Sequence, residues 1–201
     1  MPRPAKFTEG QILDAALRLV AEGGPGAATI AGIAGLMGAP VGSIYHRFTS
    51  RDLLLARLWI RTAKGFQGGF IQALGADDLD EAALGAALYN VAWTREHLQE
   101  ARVLLLYRRE ELAERWPEEL GEELASINAD VEAAVVNHAV RRYGEGVDAA
   151  ALRRVVFVLV DVPYAVGRRH LINGEPPPPL ADELVTETLR CVLIDGMAPG
   201  T

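Results

Sequence analysis

The segment from Thr29 to Phe48, TIAGIAGLMGAPVGSIYHRF, constrains the fold of this chain most, because it has the pattern of two short helices joined by a glycine turn. In its first half, apolar side chains recur at the i, i+3, i+4 and i+7 spacing of one helical face, and Thr29 stands where an N-cap is expected. Gly38 suits the left-handed backbone of a helix C-terminus, and Pro40 suits the start of the next helix. The segment therefore predicts two helices connected by a tight turn.

The second helix of this segment presents small and hydrogen-bonding side chains outward. Its periodicity predicts that Val41, Ile44 and Phe48 face the core. The residues left on or beside the outward face are Gly42, Ser43, Tyr45, His46 and Arg47. A helix with such a face can lie close to a DNA duplex.

The N-terminal part of the chain, from Thr8 to Leu55, resembles the DNA-binding domain of the TetR family of transcriptional regulators. Three helices with these spacings, at the N-terminus of a chain of 201 residues, are typical of that family. The matching residues are Ile12, Leu13, Ala15, Ala16, Leu17, Leu19 and Val20 in a first helix, Gly23 or Gly24 after it, Thr29, Ile30, Ile33 and Ala34 in a second, Gly38 in the turn, then Gly42 to Phe48, and Leu53 and Leu54.

The resemblance implies that the third helix enters the major groove of DNA. There, Tyr45 and His46 are short donors suited to phosphate oxygens, although such a pair can also be ordinary surface. Reading of bases would involve Val41, Gly42 and Ser43, through methyl, backbone and hydroxyl contacts. The predicted DNA-binding residues are Arg3, Lys6, Thr29, Val41, Gly42, Ser43, Tyr45, His46, Arg47 and Arg51.

Charge supports this prediction independently of the resemblance. Residues 1–64 carry eight Lys and Arg against four Asp and Glu, a net charge of +4. The remaining residues carry twelve against twenty-three, a net charge of −11, and the whole chain has −7. Because DNA repels an acidic protein, the modestly basic N-terminal part is the expected electrostatic footprint, with Arg3, Lys6, Arg47 and Arg51 as candidates for phosphate neutralisation.

Composition favours an all-α protein with an ample core. Half of the residues are hydrophobic, but only 6% are aromatic. The most strand-like run, VVFVLV at residues 155–160, is surrounded by charged residues and is predicted to be a buried helix. The predicted helices are 8–22, 29–37, 40–47, 50–74, 79–95, 97–114, 117–143, 148–173 and 180–196.

Other features argue against an enzyme, a metal site or a cofactor. The four histidines lie far apart in the sequence, and no nucleophile motif, phosphate loop or dinucleotide fingerprint is present. The single Cys191 cannot form an intramolecular disulfide, and the N-terminus has no apolar stretch of the signal-peptide type. A reducing cytoplasm is the expected compartment, without a membrane partner.

Two domains are expected: a helix-turn-helix DNA-binding domain at 1–49 and a larger ligand-binding and dimerisation domain at 50–201. A two-fold dimer would double the contacts on a palindromic operator. The resemblance implies a four-helix dimer interface formed by the last two helices, although ordinary core packing explains the same apolar residues. The predicted interface residues are Leu152, Val155, Val156, Leu159, Leu184, Leu189 and Val192.

The resemblance also implies a pocket for a small-molecule inducer among the middle helices. Polar or aromatic residues on apolar faces are the candidates, and Asp161 stands out because a buried carboxylate needs a partner such as Arg168 or Arg169. Pro163 is expected to interrupt the helix and kink it. The predicted ligand contacts are Trp93, His97, Tyr107, Trp116, Asp161 and Tyr164.

The leading prediction is a DNA-binding transcriptional regulator, a repressor that a small-molecule inducer releases from its operator. One alternative is a dimeric all-helical interaction protein of the same fold that no longer binds DNA, favoured by the glycines at 32 and 35 and by the thin basic patch. A more distant one is an enzyme that uses Asp161 and His97 as an acid–base pair.

Overall fold

A computed structural model describes residues 7–195, and every regular element among them is helical. Arg3 and Lys6, two predicted DNA contacts, lie outside the described residues. The α-helices are α1 (Glu9–Gly23), α2 (Ile30–Met37), α3 (Val41–Tyr45), α4 (Arg51–Leu74), α5 (Leu79–Glu96), α6 (Leu98–Leu104), α7 (Arg109–Arg115), α8 (Pro117–Ser126), α9 (Ala129–Tyr143), α10 (Ala149–Val156), α11 (Val162–Ile172) and α12 (Leu180–Leu189).

Local capping explains where α1, α2 and α4 begin and where α2 ends. Thr8 and Gln11 form a capping box at the start of α1. The Thr29 hydroxyl accepts a hydrogen bond of 3.0 Å from the Gly32 amide, and the Ser50 hydroxyl accepts one of 3.1 Å from the amide of Leu53. Gly38 ends α2 in the left-handed conformation, with φ of 61°. The predictions for Thr29, Ser50 and Gly38 are confirmed.

The chain divides into two compact units. The first contains the residues up to Ala63 together with Gln99–Ala125. Its core packs α1 to α3 against the first half of α4 and against α6, and its largest fully buried side chains include Ile12, Ile33, Ile44, Leu54, Leu55 and Leu58. The boundary at residue 49 predicted for the functional domains stays a prediction.

The second unit contains Lys64–Leu98 together with the residues from Ser126 onward. Here α5 packs against both α11 and α12. Alanines on α5 allow the close approach, and the core includes Ala83, Ala86, Ala87, Val91, Val155, Val158, Leu159, Val185, Leu189 and Leu193. The run at 155–160 is helical, as predicted, and Val155, Val158 and Leu159 are buried, whereas Phe157 is exposed.

Two predicted helices are each divided in the structure. The helix expected at 97–114 stops at Leu104 and resumes at Arg109. Between them Leu106 and Tyr107 pack against the core of the first unit, and the Glu111 carboxylate accepts a hydrogen bond of 3.3 Å from the Arg108 amide at the new helix start. Tertiary packing thus overrides helical periodicity here.

The helix expected at 117–143 is interrupted at residues 127 and 128. Ile127 is buried, and the Asn128 side chain accepts a hydrogen bond of 3.0 Å from the Gln67 amide group. Both interactions involve a side chain at the break itself, so the sequence periodicity on either side does not reveal it.

The irregularity predicted at Pro163 is present. Residues Phe157–Asp161 form a π-helical turn, and the Val162 amide donates to the Phe157 carbonyl. Because proline has no amide hydrogen, a regular hydrogen bond to the Leu159 carbonyl is impossible, and the wider turn accommodates this. Pro163 itself is buried.

Two neighbouring glycines in α4 provide a stability prediction. A Cβ at Gly69 would overlap the ring and hydroxyl of Tyr89, whereas a Cβ at Gly68 would have no neighbour within 4 Å. Gly68→Ala is therefore expected to raise the free energy of unfolding by about 0.5–1 kcal/mol. Gly69→Ala is expected to lower it by about 1–3 kcal/mol through overpacking. Denaturant titration at constant protein concentration measures both.

The matched check is Gly69→Ala combined with Tyr89→Leu, which removes the overlapping atoms. The double variant should lose less stability than the two single changes added together. Equal and positive effects of Gly68→Ala and Gly69→Ala would contradict the close packing of Tyr89 on this helix.

Candidate nucleic-acid interface

The outer surface of α3 combines exposed side chains with an open glycine. Ile44 and Phe48 anchor the helix in the core, with 0% and 2% of their surface exposed. Val41 and Tyr45 are 42% and 52% exposed, and His46 is also exposed. The prediction that Val41 faces the core is wrong, because α3 begins at Val41 itself and this first turn projects beyond the packed face.

Gly42 lies at the centre of this surface. It is exposed, and apart from its chain neighbours and the backbone of its own helix, a Cβ placed on it would have no atom within 4 Å. Ser43 and Arg47, the other predicted contacts on this segment, are partly buried. An exposed helix with an open glycine between Val41 and Tyr45 can approach a flat or grooved partner at backbone distance.

Thr29 and Arg51 already have intramolecular roles at the start of α2. The Thr29 hydroxyl caps α2. The Arg51 guanidinium donates from Nε to the Ala28 carbonyl at 2.9 Å and from Nη2 to the Pro25 carbonyl. Both residues thus stabilise the turn in front of α2, whatever else they contact.

Tyr107 and Trp116, two predicted ligand contacts, belong to the first unit. Burial raises the pKa of the Tyr107 hydroxyl, and the nearby Asp52 carboxylate raises it further. Asp52 accepts a hydrogen bond of 2.9 Å from Arg115, whose guanidinium carbon lies 5.0 Å from the centre of the Trp116 ring. The structure therefore places both aromatic residues around an ion-paired cluster at the start of α4.

Trp93 and His97 come together on α5 in the second unit. Their rings stack with centroids 5.3 Å apart, and Phe66 meets Trp93 edge to face at 5.1 Å. Tyr89 joins the same cluster, with its ring centroid 5.7 Å from that of Phe66. Burial raises the pKa of the Tyr89 hydroxyl, with a contribution from Glu96. Sequence reasoning did not include Phe66 and Tyr89. Tyr89 precedes Trp93 by four residues on α5, a spacing that could have indicated it, whereas Phe66 lies on α4 and only folding brings it to the cluster.

Asp161 and Tyr164 lie on the outside of the second unit. Asp161 is exposed, so the argument that its carboxylate needs a buried partner is wrong. The π-helical turn shifts the helical phase, which the sequence periodicity did not reveal. Tyr164 is 56% exposed. Neither side chain belongs to the aromatic cluster around Trp93.

The predicted interface residues divide into two groups. Val155, Leu159 and Leu189 are completely buried within the core of the second unit. Leu152, Val156 and Val192 are partly buried against that core, and Leu184 is 51% exposed. Other large apolar side chains exposed on the last helices are Phe157, Tyr164, Ile172 and Leu180.

His138 is a buried polar residue on α9 in the second unit. It is 1% exposed, and neither ring nitrogen has a hydrogen-bond partner. Burial, with Arg142 and Arg141 nearby, lowers its pKa to about 4, while Asp80 acts in the opposite direction. Its helical spacing with Val131 and Val135, both on the packed side of α9, is the sequence pattern that indicates burial.

Among residues 7–195, no group of three or more His, Cys, Asp or Glu side chains is arranged to hold a metal ion. No helix in the same range is long and apolar enough to cross a membrane.

An exposed helix held by Ile44 and Phe48 behind a left-handed glycine turn, in an all-helical chain, is typical of helix-turn-helix DNA-binding regulators. Residues 12–58 match the family model described as bacterial regulatory proteins, tetR family. This match confirms, for the N-terminal part of the chain, the resemblance to the DNA-binding domain of the TetR family of transcriptional regulators that the sequence predicted.

Solved structures of regulators share the fold over nearly the whole chain. A transcriptional regulator from Rhodococcus sp. Rha1 is 14% identical, with 93% of this chain and 96% of that chain covered and a TM-score of 0.70. The fatty acid degradation regulator FadR from Bacillus halodurans is 16% identical, with 95% and 97% covered and a TM-score of 0.70. The ketosteroid transcriptional regulator KstR2 of Mycobacterium tuberculosis is 20% identical, with 94% of each chain covered and a TM-score of 0.64. No curated protein matches the sequence of the chain.

Proposed function

We propose that this DNA-binding regulator is a homodimeric repressor that leaves a palindromic operator when a small molecule binds. The observation that carries the proposal is the exposed surface of α3, where an open Gly42 lies between Val41 and Tyr45. This surface fits the major groove because the missing side chain permits close backbone approach. Such a regulator acts in the cytoplasm.

The DNA contacts divide by chemistry. Val41, Gly42 and Ser43 are proposed to read bases. Tyr45, His46 and Arg47, with Thr29 at the start of α2, are proposed to contact phosphates, as are Arg3 and Lys6. If each half of a dimer neutralises roughly two to four phosphates, the logarithm of affinity should fall with the logarithm of salt at a slope of about −4 to −7.

The dimer interface is proposed to lie on the last two helical segments, from α10 through the π-helical turn to α11, and from α12 to the end of the described residues. Leu180 and Leu184 are exposed one helical turn apart on α12. Phe157 is exposed in the π-helical turn, and Tyr164 is exposed on α11, which contacts α12. Large exposed apolar side chains in a cluster are uncommon on a monomer and mark interaction surfaces. The buried residues Val155, Leu159 and Leu189 support this surface from inside the unit.

The ligand contact is proposed to be the aromatic cluster of Phe66, Trp93 and His97. Stacked and edge-to-face rings offer a large contact area at low entropic cost. Ligand binding would favour a dimer whose two α3 helices no longer match one turn of DNA. Because coupling between sites is reciprocal, DNA must weaken ligand binding by the same factor.

Selection of bound fragments from random and genomic DNA, at low and moderate salt, tests the proposal. Purified protein should enrich an inverted repeat whose half-sites lie one helical turn apart, because two α3 helices related by a two-fold axis read it. Enrichment of a single half-site would contradict the dimer. No enrichment at either salt concentration would instead favour the dimeric interaction protein that does not bind DNA.

Combined substitution of Tyr45→Phe and His46→Ala tests the phosphate contacts. We expect affinity to fall by a similar factor for every DNA sequence, since phosphate contacts position the protein without reading bases. Competition binding to the selected site and to its single-base variants measures this effect. Both side chains are exposed, so circular dichroism and thermal unfolding should remain unchanged. A loss confined to one base pair would contradict the assignment.

A further inference from the structure

Arg51, the first residue of α4, reaches back to the loop that precedes α2. Its Nε donates to the Ala28 carbonyl at 2.9 Å, and its Nη2 donates to the Pro25 carbonyl. Ala28 is completely buried, and the next residue is Thr29, the N-cap of α2. One guanidinium thus joins two carbonyls of the loop from which α2 begins.

The remaining edge of this guanidinium is held by an acidic residue that is itself shared. Asp52 Oδ1 accepts from Arg51 Nη1 at 3.1 Å, and Asp52 Oδ2 accepts from Arg115 Nη2 at 2.9 Å. Because a guanidinium carries its donors in a rigid planar fork, contacts along three directions define its orientation. Each of its three nitrogens therefore donates to an atom of the first unit. Arg115, on α7, binds the other oxygen of the same Asp52 carboxylate.

We propose that Arg51 is a positioning residue for DNA binding, because it fixes the position at which α2 begins. Asp52 and Arg115 hold its guanidinium in the orientation that this requires. The inference rests on the proposed function, and it assigns Arg51 this positioning role instead of a direct contact with a DNA phosphate. A shift at the start of α2 reaches α3, because only residues 38–40 separate the two helices and the Ala39 amide is bonded to the Ala34 carbonyl at 2.9 Å.

Salt dependence separates positioning from phosphate contact. Each lost phosphate contact reduces the slope of log affinity against log salt by about 0.9, hence by about 1.8 in a dimer. Arg51→Ala should weaken operator binding by about tenfold or more with an unchanged slope. Arg47→Ala, the matched control on a proposed phosphate contact, should reduce the slope. A slope reduced by Arg51→Ala as much as by Arg47→Ala would overturn the inference.

The conservative variant Arg51→Lys makes a second test. Lysine keeps the positive charge, but its single ammonium group cannot reproduce the planar fork that reaches Pro25, Ala28 and Asp52 together. Positioning therefore predicts that Arg51→Lys binds the operator nearly as weakly as Arg51→Ala. Recovery of full affinity with lysine would show that charge alone is needed and would overturn the inference.

Asp52→Asn tests the inference by the direction of its effect. Removal of a negative charge from a DNA-binding protein ordinarily strengthens its binding to DNA. Stronger binding is therefore the result expected for the control Glu22→Gln, on the exposed side of α1. Positioning predicts weaker binding for Asp52→Asn, and no further loss when Arg115→Gln is added to it. Stronger binding by Asp52→Asn would contradict the proposal.

Amide hydrogen exchange in the free protein provides a measurement without DNA. Arg51→Ala should accelerate exchange of the Gly32 and Ile33 amides, which are bonded to Thr29 in the first turn of α2. If the unsubstituted protein binds DNA but Arg51→Ala leaves the exchange rates of these two amides unchanged, the inference about Arg51 is overturned and the proposed function stands. If the unsubstituted protein bound no DNA, the proposed function would fail, and exchange would still decide whether Arg51 holds the start of α2.

Discussion

Gly42→Leu is expected to abolish specific operator binding while the protein stays folded. A Cβ on Gly42 has no atom within 4 Å beyond its chain neighbours and the backbone of its own helix, so the added side chain projects into solvent in the free protein. In the complex it would occupy the space through which the α3 backbone approaches the base edges. Loss of specific binding corresponds to an affinity lower by roughly 10³-fold or more, because specific sites exceed non-specific DNA by at least that factor.

Fluorescence anisotropy with the selected operator and with unrelated DNA of equal length measures this loss. Gly65→Leu is the matched control, since Gly65 is also an exposed helical glycine with open space around it but lies on α4. The control should retain operator affinity. Non-specific binding of Gly42→Leu should survive, because it depends on phosphate contacts. Retained operator affinity in Gly42→Leu would mean that α3 does not enter the groove.

Acidification is expected to destabilise the protein through His138. Its pKa is about 4 in the folded protein, because burial and the nearby arginines disfavour the imidazolium ion. In the unfolded chain an ordinary histidine has a pKa of about 6.5. Between these values the unfolded state binds a proton that the folded state excludes, so stability falls as the pH falls from 6.5 towards 4. The free energy of unfolding falls by up to about 3 kcal/mol, and most of this decrease has occurred by pH 4.

His138→Leu isolates this contribution. Neither ring nitrogen has a hydrogen-bond partner, so leucine removes the titration without breaking a hydrogen bond. Denaturant titrations from pH 4 to 7.5, at one protein concentration, should show a much smaller loss of stability for His138→Leu than for the unsubstituted protein. His46→Leu, a change to an exposed histidine, should not alter the loss. Identical pH dependence for His138→Leu and the unsubstituted protein would contradict a buried neutral His138.

The helices of the helix-turn-helix segment could be predicted because their sequence determinants are local. Thr29, Ser50 and Gly38 act within one turn of the helix ends that they define. Periodicity located the buried Ile44 and Phe48 without any knowledge of their partners. Recognition of the family also depended on this part of the chain, since the family model matches residues 12–58.

The breaks near residues 105–108 and 127–128 were not predictable from helical periodicity. Tyr107 packs against the core of the first unit, and Asn128 bonds to Gln67, 61 residues earlier. Each break depends on a partner that is distant in sequence. Propensity and periodicity describe a helix in isolation, so they extended both helices through these positions.

Burial and pairing explain the remaining differences at the candidate sites. The π-helical turn before Pro163 leaves Asp161 exposed, whereas His138 is buried on α9. Arg51 was predicted only as a phosphate contact, but its guanidinium bonds to Pro25, Ala28 and Asp52. The sequence shows which charged groups are present, but which of them form hydrogen bonds or ion pairs depends on the folded structure.

By itself, the sequence determined the all-α class, the helix-turn-helix and its outward-facing glycine, because caps, turns and periodicity operate over a few neighbouring residues. The tertiary structure alone decided that Arg51 holds the start of α2, that Arg115 shares Asp52 with it across 63 residues, and that His138 is buried without a partner. The physical reason is that desolvation and ion pairing depend on the distances between residues that only folding brings together.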